Sequence, residues 1–210
     1  MSRRSVTIYG GNLDDLEAPV PESVWVTDGS LHVRSNTDSL SGASPIISEP
    51  HYLGHLGFVY HMDHKSTGLA DGSAYDIFIK GAVGSYPHIH KWRTMTGAGD
   101  VDVVLYEGTT VSADGTSISV ENTNRNSTNT NAITFFHTPT VTAAGTVIHE
   151  LWVPPSSTGT GQSHAGANAE QGEEWILKTE TDYLIRTTNN SGSTIDLYQE
   201  ILFYEIGTLP

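Results

Sequence analysis

The sequence predicts an all-β protein, a jelly-roll-like β-sandwich preceded by an extended amino-terminal arm. Three features lead there. Charged residues make up only 16% of the 210 residues, and the polar remainder is dominated by Gly, Ser, Thr and Asn. Helical proteins solubilise their exposed faces with Glu, Lys and Arg, whereas Thr, Ser and Asn suit strands and turns. No stretch longer than a couple of turns holds a helical period, and short β-branched or aromatic segments alternate with turn signals instead. At 37% hydrophobic, the chain can still bury a real core.

The first ~45 residues stand apart, with a boundary good to a few residues. Leu13–Glu22 is acidic, punctuated by Pro19 and Pro21, and short of core residues. A small hairpin is expected from Trp25 to Val33, with strands at Val24–Val26 and Leu31–Arg34. The polar run Ser35–Ser44 then reads as a linker, giving an arm over 1–45 and a β domain over 46–210. In the domain, strands are predicted at Phe58–Met62, Tyr75–Lys80, Val101–Tyr106, Thr116–Glu121, Ala132–His137 and Thr146–Val153. Three more follow at Glu174–Lys178, Tyr183–Thr188 and Thr194–Tyr204. In the last, Ile195, Leu197, Ile201 and Phe203 share one face, opposite Asp196, Tyr198, Glu200 and Tyr204. Roughly eight or more strands of uneven spacing fit a jelly roll better than a meander.

Ala113-Asp114-Gly115-Thr116 and Asn189-Asn190-Ser191-Gly192 read as tight turns. Val111–Ile118 is echoed thirty residues later by Val141–Ile148. Two copies of a strand–turn–strand word predict two similar hairpin edges, since a solenoid needs at least three. Pro154–Gly172 is too long for a tight connection and reads as a mobile or contact loop.

Ten Lys+Arg against 24 Asp+Glu give a net charge of −14, with the cations scattered. Nucleic acid and anionic membrane surfaces are therefore not expected partners, because both require clustered cations. Cysteine is absent, which excludes disulfides, thiolate zinc sites and a thiol nucleophile. No apolar run approaches the roughly 20 residues of a membrane span, and no signal-like apolar segment follows the first residues.

Ten histidines invite a metal reading. His88 and His90 would share one face of a strand, the spacing of a cupin-like metal pair. The Glu expected a few residues later is missing, so no metal or other cofactor is expected and these two remain weak candidates. His61 and His64, three apart on a strand, would face opposite sides, with Asp63 able to lend an oxygen. Glu173 and Glu174 are adjacent and cannot flank one glycosidic bond. Glu200 and Glu205 read as the solvent face of the last strand. No Gly-x-Ser-x-Gly elbow or phosphate loop is present, so no catalytic residue is assigned. Trp25, Trp92, Trp152 and Trp175, with nine Tyr, have the chemistry to stack on sugars or to anchor an interface.

From about Asp71 onward three words stand out: Val104-Leu-Tyr-Glu-Gly-Thr-Thr-Val-Ser-Ala-Asp-Gly-Thr116, Glu121-Asn-Thr-Asn-Arg-Asn-Ser127 and His137-Thr-Pro-Thr-Val-Thr-Ala-Ala-Gly-Thr146. They carry a resemblance to tailed-bacteriophage capsid decoration, or cement, proteins. Glu173–Thr179, Asp182–Asn189 and Phe203-Tyr-Glu205 complete it, in order, over roughly two-thirds of the chain. It implies a jelly-roll-like fold, a homotrimer, and a non-enzymatic place on the outer surface of the virion, bound to the major capsid protein. On that reading the contact candidates are Arg3, Arg4, Pro19, Pro21, Trp25, Trp92, Arg125 and Trp152. The loop around Arg125 is rich in Asn and Thr, which suits a static contact without desolvating many charges; the alternative is an ordinary solvated loop. Two other functions stand beside it: a head-fibre module binding host glycans, and a cupin-like β-barrel metalloenzyme using His88 and His90.

Overall fold

A computed structural model of the chain describes residues 23–24, 33–34, 49–96, 100–155, 163–165 and 174–207, with side chains for 51–96, 100–155 and 174–205. The chain divides into two compact units, Met1–Glu49 and Pro50–Pro210. In the first, β1 (Ser23–Val24) and β2 (Val33–Arg34) form an antiparallel pair that brackets the expected hairpin. Arg3, Arg4, Pro19, Pro21 and Trp25 lie outside the described residues, as does most of Pro154–Gly172.

The second unit opens within a short helix, α1 (Glu49–Leu56). Its strands are β3 (Val59–Leu69), β4 (Ala74–Lys80), β5 (Ser85–Thr96), β6 (Val101–Glu107), β7 (Thr110–Ala113), β8 (Thr116–Ile118), β9 (Val120–Asn122) and β10 (Thr134–His137). They continue with β11 (Thr140–Ala143), β12 (Thr146–Val153), β13 (Ser163–Ala165), β14 (Trp175–Ile176), β15 (Tyr183–Asn189) and β16 (Ile195–Gly207). One sheet runs β12-β6-β15-β4-β10-β8, and the facing sheet runs β13-β5-β16-β3-β9 with β14 also on β5. All pairs are antiparallel, and the sheets pack as a sandwich.

The pairing is nested. β3 pairs with β16, β4 with β15, β5 with β13 and β14, and β6 with β12. A long hairpin rolled so that successive pairs alternate between two sheets is a jelly roll, so the expected fold class holds for the described domain. Alternation puts Tyr60, Met62, Ile77, Ile79, Trp92, Val103, Leu105, Tyr183, Ile185, Leu197, Ile201 and Phe203 between the sheets. Gln199 Nε2 donates to Thr187 Oγ1 across the sandwich at 3.0 Å. At the β15–β16 turn, the fully buried Asn189 donates to the Leu69 and Ser193 carbonyls and accepts from Ser191 N.

The sequence echo becomes a pair of interlocked corners. Val111 pairs with Val141, so the two copies lie side by side as a β7–β11 ribbon. Gly115 and Gly145 close the two turns at φ +98° and +97°. A Cβ on Gly115 would collide with the His137 carbonyl, and one on Gly145 with the Glu107 carbonyl. The ribbon is tied to the six-stranded sheet at both ends. Gly108 N and Thr109 N donate to Asp182 O, and Thr138 N donates to Asp76 O. Lys80 Nζ meets Asp114 Oδ2 at 2.6 Å. These anchors bracket Phe78 and Leu184, which point outward by strand parity yet are fully buried. Both therefore lie on the outer face between the points where the ribbon is tied down.

Several sequence expectations change. β5 runs well beyond the strand face read through His88 and His90, and Pro87 and a bulge at His90 break its alternation. Strict alternation would put Trp92 beside His88 and His90. The bulge resets the parity, and Trp92 is a core residue at 1% exposure, not a contact residue. The predicted strand Thr116–Glu121 is two strands, β8 and β9, which cross from one sheet to the other. Glu205 is not on the solvent face. It shares the parity of Phe203, is 8% exposed, and accepts from Ala132 N and Ile133 N at 2.7 and 2.9 Å.

Candidate functional site

The outer face of the six-stranded sheet carries the most exposed large aromatic of the described residues. Register builds it in rows. Trp152 sits beside Asp102, which pairs with Thr188, and Glu150 sits beside Val104, which pairs with Arg186 and through it with Asp76. The next row is Tyr106–Leu184–Phe78–Phe136. Leu184 and Phe78 in it are buried, whereas Trp152 and Glu150 are exposed, so only part of this face is open.

Trp152 is 59% exposed, and its Nε1 donates to Asp100 Oδ1 at 3.1 Å, which fixes the ring. Asp102 Oδ2 accepts from Asn190 Nδ2 at 2.8 Å. Arg186 grips Asp76 with two hydrogen bonds, Nε–Oδ1 at 2.8 Å and Nη2–Oδ2 at 2.7 Å, and lies 6.0 Å from the Tyr106 ring centre. The Asp76 hydrogen bond holds the guanidinium pKa above its ordinary value, against the effect of burial. A depression of about 330 Å³ lies over Asp102, Val104, Glu150, Leu151 and Trp152. The sequence exposed Trp152 but not its neighbours. Asp102, Glu150 and Arg186 occupy outward positions of predicted strands, and only the pairing brings them together.

The other sheet presents an ionic network on its outer face. Glu200 Oε1 lies 3.0 Å from Lys91 Nζ and 3.4 Å from His61 Nε2, and Glu200 Oε2 lies 3.9 Å from Arg93 Nη1. Burial raises the Glu200 carboxyl pKa, but the Lys91 hydrogen bond and charge, with His61, bring it below the ordinary value. His64 lies on the opposite face from His61, as its spacing predicts. Its Nε2 is 2.6 Å from the Tyr75 hydroxyl, and its ring stacks on His137 at 4.5 Å.

His88 is 5% exposed and stacks on Tyr204 at 4.6 Å; its Nδ1 lies 3.7 Å from Glu174 Oε1. His90 approaches the same tyrosine at 6.4 Å. Among the described residues no three His, Asp or Glu side chains gather as a metal cluster.

The Asn-rich loop is engaged within the chain. Asn124 Nδ2 donates to His55 O, and Asn129 Nδ2 to the Leu56 and Gly57 carbonyls. Asn122 Nδ2 also donates to Gly57 O. These are the carbonyls left open at the end of α1. Arg125 projects from the loop, 72% exposed, and pairs with Glu121. A second depression, about 490 Å³, is lined by Phe58, Tyr60, Val83, Asn129 and Glu205. Burial raises the Glu205 pKa despite its two backbone amides.

Compared with known proteins, the chain matches no family model and no curated sequence.

Proposed function

We propose that this chain is a capsid decoration protein, bound as a trimer to the outside of a tailed-phage head, where it clamps adjacent capsomers against internal DNA pressure. The observation that carries the reading is where the resembling segments meet. Val104–Thr116 and His137–Thr146 are far apart in sequence, yet they pair through Val111 and Val141 in the β7–β11 ribbon. Two of the six resembling segments therefore belong to one structural module, which supports reading them together.

Physical features agree. The net charge of −14 suits a surface turned away from packaged DNA. A ligand that binds the assembled shell and not its loose subunits stabilises the shell by mass action, with no turnover. Three weak contacts made at once raise effective concentration and slow release. In this reading the arm, with Arg3, Arg4, Pro19 and Pro21, reaches a neighbouring capsomer. Deleting residues 2–45 is expected to weaken attachment to heads by about tenfold or more; unchanged affinity would remove the arm from the account.

The stabilising role is tested by heating undecorated heads with and without saturating protein and recording DNA release. The reading predicts release at a higher temperature when the protein is bound. Equal release temperatures with the protein demonstrably attached would leave it a passenger and not a cement.

A further inference from the structure

We propose that the open part of the six-stranded sheet's outer face is a saccharide-binding site, with Trp152 as its stacking platform. It goes beyond the capsid reading and does not depend on it. The site needs three things from its ligand, and each follows from a named group.

The first is a flat apolar face. Trp152 exposes 59% of its surface on an otherwise polar patch, and its hydrogen bond to Asp100 fixes the ring before any ligand arrives. A pyranose ring offers such a face in its axial C–H groups. The second is hydroxyl donors. Glu150 and Asp102 flank the indole on the same outward rows, and carboxylates accept hydrogen bonds only. The third is acceptors, because Arg186 stands one strand further in, its guanidinium already oriented by Asp76. Hydroxyls both donate and accept, so one class of ligand meets all three requirements.

Other occupants fit less well. A phosphate or sulfate would face the carboxylates of Asp102, Glu150 and Asp76 against one guanidinium. A cationic segment would meet Arg186 in the middle of the row, where Asp76 is already neutralised. A lipid or apolar peptide would leave those carboxylates desolvated. The depression of about 330 Å³ lies within the size range of small-molecule sites.

The test uses the full chain in isothermal titration with neutral hexasaccharides of glucose, mannose and N-acetylglucosamine, and with hexalysine as the cationic competitor. The proposal predicts saturable binding of at least one hexasaccharide, little changed between about 50 and 500 mM salt, since neutral ligands release no counterions. Trp152→Ala should weaken it about tenfold or more, Trp152→Phe much less, and Glu150→Gln should weaken it measurably. Val83→Ser, at an exposed position away from this face, should leave it unchanged. All three positions are exposed, and matching melting curves would verify folding. No binding by any hexasaccharide, equal binding by Trp152→Ala, or salt-sensitive binding of hexalysine alone would each overturn the proposal. Because head attachment is measured separately, its failure and this one are distinguishable.

Discussion

Asn129 shows how a single polar side chain closes a structural account. Its amide donates to the Leu56 and Gly57 carbonyls, at 3.2 Å each, where α1 ends and has no further helical donors to offer. Asn129→Ala is expected to lower unfolding stability by about 0.5–1.5 kcal/mol in chemical denaturation. His64 makes a second residue-scale prediction. Burial, then the nearby His137, lowers its pKa below the ordinary value, with Asp63 opposing. The unfolded chain then takes up a proton near pH 6.5 that the folded ring resists. This contribution is complete above that pH and is lost as pH falls through the folded value. Thermal melts of the wild type should drop as the pH is lowered below about 6.5, and His64→Gln should show a smaller drop. An identical slope in the variant would assign the pH dependence elsewhere. Tyr183 sits at the other extreme. Burial foremost, with Glu107 beside it, pushes its phenol up to about 12, so it stays a neutral donor to Glu107 at all physiological pH.

At the scale of elements, the β7–β11 ribbon explains why an outward-facing strand position can be apolar. Phe78 and Leu184 are fully buried on the wrong side of their strands for the main core, and the ribbon's anchors lie on either side of them. Phe78→Ala should therefore cost about 3–5 kcal/mol, as a core deletion does, and not the near-zero cost of a surface change. Gly145→Ala should cost about 2 kcal/mol or more, because φ +97° disfavours a side chain and the Glu107 carbonyl leaves no space for one. Urea titrations of the two variants measure both. A result near zero for Phe78→Ala would mean that the ribbon does not seal this face. The echo between Val111–Ile118 and Val141–Ile148 was readable in the sequence as two like edges. That the edges pair with each other was not, because a repeated word states local geometry and carries no information about its neighbour.

The whole molecule repeats that division between what a chain says locally and what only assembly decides. Alternation in Thr194–Tyr204 separated the inward and outward faces of β16 correctly, and strand count with uneven spacing pointed to the rolled sandwich. The failures have two local causes. At His90 one extra residue shifts parity, which carried Trp92 from a surface expectation into the core. At Glu205 the strand runs on past the predicted end, so a carboxylate expected in water instead holds the Ala132 and Ile133 amides. The open patch around Trp152 was legible only through its tryptophan. Asp102, Glu150 and Arg186 come from three strands, and register alone gathers them.

The proposed function requires a capsid lattice to hold this sandwich. Co-sedimentation of the purified protein with mature, undecorated heads of its own phage, titrated to saturation, tests it most directly. The account predicts saturable binding at a copy number equal to one class of lattice symmetry positions, three chains to each. Absence of binding, or uptake that rises without saturation, would contradict it.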